Sequence, residues 1–409
     1  MLPRTPRRLL VAVVVVCVPA ALLAAPSVAV RPTVRPDRVV LDPTAVPATS
    51  QAFTWRSSAA TGRVVVAGPG GTRSVRSTKT RTIGSARHHT ATVTGLRAGT
   101  AYRYKVGGAR GWSPVRTFTT ARAGAAPFSF VVLGDAQKSI RRSLTAVTRR
   151  AFADEPSARF VLQLGDLVNS PARDAQWDEA FDALGPRVSR VPLLAVEGNH
   201  EYCCGDPTAS RSRAHLEGAR NGVPGQGSTW WWTDYQGVRV VVLDGNRKVR
   251  EQAAFLDRAA RTNPSRWTVV AFHQPVFSGR ADRTEPAIRR WWLPVLERRD
   301  VDLVLTGHDH VYTRGHVRPD GPQYVTMNSG PKYYPLAPAS SNDFTRHGAV
   351  REVGVARTST YATVAVSGDA LTFRAVVSAR GGGATTSRRV GQVLDEVRIT
   401  DDGHAKKVR

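Results

Sequence analysis

Five apolar runs in the middle of this chain each end in a polar residue able to hold a proton or a metal. Phe128–Leu133 leads into Gly134-Asp135-Ala136-Gln137, and Arg159–Leu164 into Gly165-Asp166-Leu167-Val168-Asn169. Pro192–Val196 leads into Glu197-Gly198-Asn199-His200-Glu201, Trp267–Phe272 into His273, and Val301–Leu305 into Thr306-Gly307-His308-Asp309-His310. An unbroken apolar run of this length reads as a strand buried on both faces, the kind that parallel sheets use. Helical patterns over Ser139–Ala153, Asp174–Leu184, Glu251–Arg261 and Pro286–Arg298 alternate with the runs, the last opening on a first-turn Pro. The alternation predicts an α/β core. In such sheets ligands collect at the carboxyl ends of the strands, where all five polar endings fall.

One Gly-Asp after a strand is ordinarily a turn, and one His is ordinarily a core or surface residue. Five such endings in succession are hard to obtain by accident. Carboxylate, amide oxygen and imidazole are hard-to-borderline donors that suit iron, zinc or manganese, and no thiolate cluster accompanies them. Glycines at 134, 165, 198 and 307 precede four of the polar residues and predict sharp backbone turns there.

The ordered set Gly134-Asp135-Ala136-Gln137, Gly165-Asp166-Leu167-Val168-Asn169, Gly198-Asn199-His200-Glu201, Phe272-His273-Gln274-Pro275 and Gly307-His308-Asp309-His310 resembles the calcineurin-like metallophosphoesterase superfamily. Within it the likeness is to purple-acid-phosphatase-like enzymes with an amino-terminal fibronectin-like module, and it runs from about residue 31 to 400. It implies a dinuclear metal centre, iron with zinc or manganese. Asp135 and His310 would bind the first metal, Asp166 would bridge, and Asn199, His273 and His308 would complete the second. His200 would face the substrate as proton donor or transition-state stabiliser, with Glu201 orienting it. The implied reaction is hydrolysis of a phosphate ester by metal-activated hydroxide, most nearly that of an acid-phosphatase-like phosphomonoesterase. The same motifs serve phosphodiesterases of nucleotides, nucleic acids or lipids. A binding protein with a decayed catalytic domain is disfavoured because the whole ligand set is present.

Two positions depart from that pattern. Purple acid phosphatases carry Tyr three residues after the bridging Asp, where this chain has Asn169, and other members carry His two residues after the first Asp, where it has Gln137. Gln137 or Asn169 is left to lend an amide oxygen, or water to fill the place. Arg280 and Arg283 stand in the loop where plant relatives carry paired histidines, as phosphate contacts or as solvated residues.

The flanks have a different texture. Residues 31–121 hold short alternating runs, among them Arg63–Val66, His89–Val93 and Tyr102–Val106, which predict an all-β sandwich. Gly95-Leu96-Arg97-Ala98-Gly99-Thr100-Ala101-Tyr102 resembles the tyrosine corner of fibronectin type III modules. The expected order is therefore a fibronectin-like sandwich, a short linker, and an α/β metallophosphoesterase domain over 127–400 with two β-sheets sandwiched between helices. Strands return after Gln323, including Tyr361–Val366 and Leu371–Val377, and Trp230–Tyr235 with Val238–Leu243 reads as a strand pair.

Leu9–Ala25, preceded by Arg4, Arg7 and Arg8 and followed by Ser27-Val28-Ala29, reads as a signal peptide over 1–29 and hence a secreted or extracellular protein. An uncleaved anchor, or association with membrane or wall, is the alternative. The mature chain then keeps Cys203 and Cys204, side by side, and export favours their pairing. The formal net charge is +26, and residues 31–120 carry 13 Arg and 2 Lys against two Asp. So basic a module suits an anionic surface or polymer; no obligate protein partner is implied. His88, His89, His215, His347 and His404 read as surface or loop residues, His316 as a residue able to reach the cleft, and the tryptophan clusters as core.

Overall fold

The computed structural model describes residues 35–109, 111–222, 229–403 and 405–409. The expected signal peptide and His404 lie outside the described residues.

An amino-terminal sandwich packs two antiparallel sheets face to face. One contains Asp37–Asp42, Gln51–Ser57, Ala86–Val93 and Lys79–Ile83 in that spatial order, and the other is built around Arg63–Gly68 and Ala101–Gly108. Alternation puts Phe53, Trp55, Val64, Val66, Tyr104 and Phe118 inward, where they form one core. The backbone N–H of Arg97 donates to the Tyr102 hydroxyl at 2.8 Å, the corner bond that the Leu96-to-Tyr102 spacing predicts.

The second domain has four layers. One seven-stranded sheet runs Leu193–Ala195, Val161–Gln163, Phe128–Leu133, Thr358–Val366, Ala370–Arg380, Val393–Asp401 and Lys406–Val408. The other runs Trp231–Tyr235, Val238–Val242, Trp267–Ala271, Leu303–Thr306, Gln323–Thr326, Tyr312–His316 and Val350–Val355. The two sheets face each other through Phe130, Val132, Leu162, Val240, Val269, Leu305 and Phe373. Helices Ile140–Asp154 and Asp174–Leu184 cover the outer face of the first sheet through Leu144, Val147, Ala151 and Phe181. Val249–Arg261 and Leu293–Arg298 cover the second through Phe255, Leu256 and Leu296. Strand residues are thus buried from both sides, which is why the runs are apolar throughout. Each large side chain so buried contributes about 1.5–3 kcal/mol.

One helix differs from expectation. Pro286–Arg298 is two helices, Pro286–Trp291 and Leu293–Arg298, with the break at Trp292. Pro294 has no N–H to give the Arg290 carbonyl four residues back and its ring crowds that turn, so the ladder is interrupted there and Pro294 sits in the first turn of the second helix. Trp292 sits buried at the break and donates its indole N–H to the Val249 carbonyl at 2.7 Å.

The domains meet through a polar seam that sequence reasoning did not anticipate. Arg38 pairs with Asp174 at 2.8 Å and Asp178 at 2.7 Å, and Arg56 joins Asp37 to Asp174. Lys79 and Arg81 pair with Glu217. His88 and His215, read above as surface residues, are buried here at 3% and 2% exposure, and His89 is wholly buried. His215 accepts from Arg38 at 2.6 Å, donates to the Arg211 carbonyl at 2.8 Å, and stacks on Trp177. His89 lies against Trp55 between the hydroxyls of Ser57 and Thr80. A neutral imidazole with a partner for each nitrogen buries without charge, and periodicity alone does not reveal that. His316, read above as able to reach the cleft, pairs with Glu352 at 3.0 Å. His347, partly exposed, pairs with Asp343.

Candidate metal centre

Parallel pairing aligns the carboxyl ends of Phe128–Leu133, Val161–Gln163 and Leu193–Ala195 in one sheet, and of Trp267–Ala271 and Leu303–Thr306 in the other. The first sheet delivers Asp135, Asp166 and Asn199, and the second delivers His273, His308 and His310. The site bridges the two sheets, with carboxylates and amide from one side and imidazoles from the other.

Two groups of ligand atoms result, Asp166 with His273 and His308, and Asp135 with Asp166 and His310. Within each group the atoms lie within 4.8 Å of one another, and Asp166 belongs to both. Asn199 joins the first, its Oδ1 lying 3.2 Å from His273 Nε2. His273 Nδ1 donates to the Leu164 carbonyl at 2.7 Å, which turns Nε2 inward. His273 Nε2 and His308 Nδ1 then converge at 3.2 Å. Lone-pair atoms packed so closely, among them His310 Nε2 at 3.7 Å from Asp135, fit cations, and both amide atoms of buried Gln137 lack a hydrogen-bond partner among the described residues.

The backbone is bent to make this cluster. Asp135, Asp166, His308 and His310 all have positive φ, between 52° and 72°. Non-glycine residues hold that conformation at a cost of order 1–3 kcal/mol each, and such strain gathers at functional sites. The expected role of the four glycines is corrected accordingly. Of them Gly165 alone takes a positive φ, while Gly198 and Gly307 supply space, because a Cβ on either would strike the Asp166 or Asp135 carboxylate.

Electrostatics agree with the geometry. Burial, then the His273 charge, hold His308 low, and burial followed by Lys332 lowers His310 to about 3, so both imidazoles are neutral ligands. Burial opposes a charge on His273, but Asp166 outweighs it and raises the ring to about 10. Burial likewise raises Asp135 well above the usual carboxylate range, with neighbouring Asp166 adding to it, while His273 brings Asp166 down. His273 Nε2 and the Asp166 carboxylate lie 3.3 Å apart.

His200 lies at the edge, its Nδ1 donating to the Asn169 carbonyl at 2.7 Å and its Nε2 4.0 Å from Asp166. Glu201 acts otherwise than expected. Its buried carboxylate accepts the backbone N–H groups of Asp166 and Gly198 at 2.8 Å and Leu167 at 3.0 Å, so it clamps two ligand loops together, and the His200 ring is oriented by Asn169. Gln176, which carries no motif signal, accepts the N–H groups of Asn169 and Ser170 at 2.9 and 2.8 Å and fixes that carbonyl. Glu285 also escaped notice; its carboxylate lies 3.8 Å from His308. Arg283 is occupied structurally, donating to the His308 carbonyl at 3.0 Å and to Asp309. Cys203 and Cys204 are disulfide-bonded, beside the Asn169 carbonyl.

Helix, sheet, sheet and helix are thus stacked around paired ligand groups that share one carboxylate. Residues 128–312 match the calcineurin-like phosphoesterase family and residues 36–120 the purple acid phosphatase N-terminal domain. The chain carries those two domains in that order. It is 28% identical over 303 residues to an uncharacterized protein of Mycobacterium tuberculosis, covering 62% of this chain and 55% of the relative. Purple acid phosphatase 23 of Arabidopsis thaliana is 28% identical over 188 residues, 40% of each chain. The structure of a purple acid phosphatase from yellow lupin (Lupinus luteus) seeds superposes with a TM-score of 0.73 at 17% identity, over 90% of this chain and 74% of the lupin chain. The chain spans about half the length of the curated relatives it matches.

Proposed function

We propose that this protein hydrolyses phosphate esters at a dinuclear metal centre, as an acid-phosphatase-like phosphomonoesterase that is exported. The observation that carries the reading is the sharing of Asp166 by two ligand groups at the edge where His200 waits. Asp135, Asp166 and His310 would hold one metal, and Asp166, Asn199, His273 and His308 the other. Gln137 is the extra donor for the first, since its buried amide has no partner among the described residues. Iron with zinc or manganese suits these oxygen and imidazole donors. When bound, the pair supplies Lewis-acid charge and an acidified water.

The chain's own residues do the rest. Water adds to phosphorus as the ester P–O bond breaks, and the leaving oxygen needs a proton. His200 faces that oxygen with Nε2. Because Nδ1 already donates to Asn169, the ring gives up the Nε2 proton only from its doubly protonated form. Glu201 keeps the Asp166 and Gly198 loops in register so that ligands and donor stay aligned.

The export reading rests on the basic and apolar leader; no described helix is long and apolar enough to cross a membrane. The basic sandwich supports contact with an anionic surface or polymer. Arg38, Arg56, Lys79 and Arg81 are occupied at the domain seam, but Arg63 and Arg76 stand directly across from each other on adjacent strands, and Arg103 and Lys105 lie one strand further on. Like charges so placed favour an anion above them.

The test is a panel of phosphate mono- and diesters with metal-loaded protein. Asp166→Ala is expected to lose metal and activity together, whereas His200→Ala keeps metal and loses about 10²–10⁴-fold in rate. Full metal and full activity in Asp166→Ala overturn the assignment, and faster turnover of diesters than of monoesters makes the protein a phosphodiesterase.

A further inference from the structure

A cationic shelf lies just outside the ligand cluster. Tyr334 meets His310 edge to face, with ring centroids 5.2 Å apart. The Arg280 guanidinium lies over the Tyr334 ring at 3.8 Å, and the Lys332 ammonium at 5.2 Å. The loop that presents them is firmly held. Buried Asn328 donates to the carbonyls of Gly330 and Lys332, each at 3.0 Å. Ser359 donates to the Gly330 carbonyl at 2.7 Å and meets the Tyr333 hydroxyl at 2.8 Å. Gly330 rests against the backbone carbonyl of Asp135, where any Cβ would collide. The positions of Lys332 and Tyr334 are thereby tied to the backbone of a ligand residue.

The two cations differ in what they have left to offer. Arg280 gives Nε and Nη2 to the exposed carboxylate of Asp282, at 2.9 and 2.5 Å. Lys332 lies against the Tyr334 ring, and no carboxylate pairs with it among the described residues. A lysine ammonium is a compact, strongly hydrated charge. One kept half-buried against a ring, on a braced loop and without an acid, is placed to receive an anion. The scissile phosphate of a monoester is met further in, by the ligand cluster and His200, and needs no cation one ring's width away. A substrate with a second phosphoryl group a few atoms from the first puts that charge beside Lys332.

We propose that Lys332, braced by Tyr334 and Arg280, forms a subsite for the second phosphoryl group of bisphosphorylated substrates. The inference rests on the phosphoester-hydrolase reading above and sets its substrate preference. A matched pair of esters tests it, propyl phosphate and 1,3-propanediol bisphosphate, with phosphate release followed on the metal-loaded full chain. The expected ratio of kcat/KM, bisphosphate over monophosphate, is about tenfold, the size of one hydrogen bond to a charged group. Lys332→Ala is expected to bring the ratio close to the statistical value of about two for two equivalent phosphates, through KM, and Lys332→Arg to restore most of it. High salt is expected to compress the wild-type ratio, since a contact at the mouth of the site is screened, and this needs no variant. A wild-type ratio no greater than that statistical value, or a ratio that survives Lys332→Ala, overturns the subsite. Failure to release phosphate from either ester overturns the phosphomonoesterase reading instead.

Discussion

Gln176 touches neither the ligand cluster nor the space beside it, yet its removal is expected to slow the reaction selectively. Its side-chain oxygen accepts two successive backbone N–H groups, those of Asn169 and Ser170, and the Asn169 carbonyl accepts the proton of His200 Nδ1. Gln176→Ala deletes two neutral hydrogen bonds at a partly exposed position, together worth about 1–2 kcal/mol. If that energy holds the carbonyl in place, its loss appears as misalignment of the His200 ring, roughly 5–30-fold in kcat. The effect should fall unevenly over substrates. An alkyl phosphate expels a strongly basic oxygen and depends on the proton donor, whereas 4-nitrophenyl phosphate expels a stable phenolate and does not. The assay is therefore kcat for both esters in wild type, Gln176→Ala and Gln176→Glu, with metal content measured on each sample. The alkyl ester should lose most, metal should be unchanged, and Glu, which keeps an acceptor oxygen, should recover much of the rate. Equal loss on both esters, or loss of metal, would refute the positioning role and leave Gln176 a merely structural residue.

Two further outcomes are expected. Burial first, then the charges of Arg38 and Arg56, lower His88 from 6.5 to about 4. The unfolded chain therefore takes up a proton at higher pH than the folded one, and stability present above pH 6.5 is lost as pH falls toward 4. His88 alone accounts for about 3 kcal/mol of that loss, and burial also holds its neighbour His215 neutral. Urea titrations of the full chain across this range should show a steep pH slope that flattens in His88→Gln; identical slopes would remove His88 from the account. The metal-loaded protein is also expected not to be purple, because Asn169 stands where the resemblance to purple acid phosphatases would place a tyrosinate bound to ferric iron. A strong visible absorption band would show that another tyrosine has taken that place, and Tyr334, beside His310, is the one to replace with Phe.

The ligand set was legible in the chain because strand and ligand are neighbours in sequence. A buried strand must end where the sheet ends, so a polar residue one to three positions beyond its last apolar residue is carried to the sheet's edge. Asp135, Asp166, Asn199, His273 and His308 obey that constraint, and His310 follows within the same turn. The residues that orient the site have no such local mark. Glu201 could be suspected for its proximity to His200, but that it serves the Asp166 and Gly198 backbones depends on how two loops meet. Gln176 lies on a helix, Lys332 and Tyr334 on a loop after another strand, and each reaches the site only because the sheets and their crossovers bring distant segments together. The same holds at the domain seam, where Asp174 and Asp178 of one domain meet Arg38 of the other, and His88 packs across it against His215, itself stacked on Trp177. Periodicity and turn chemistry report what a segment does to its own backbone. Burial of a polar side chain is decided by its partner, and the partner is chosen by the tertiary fold.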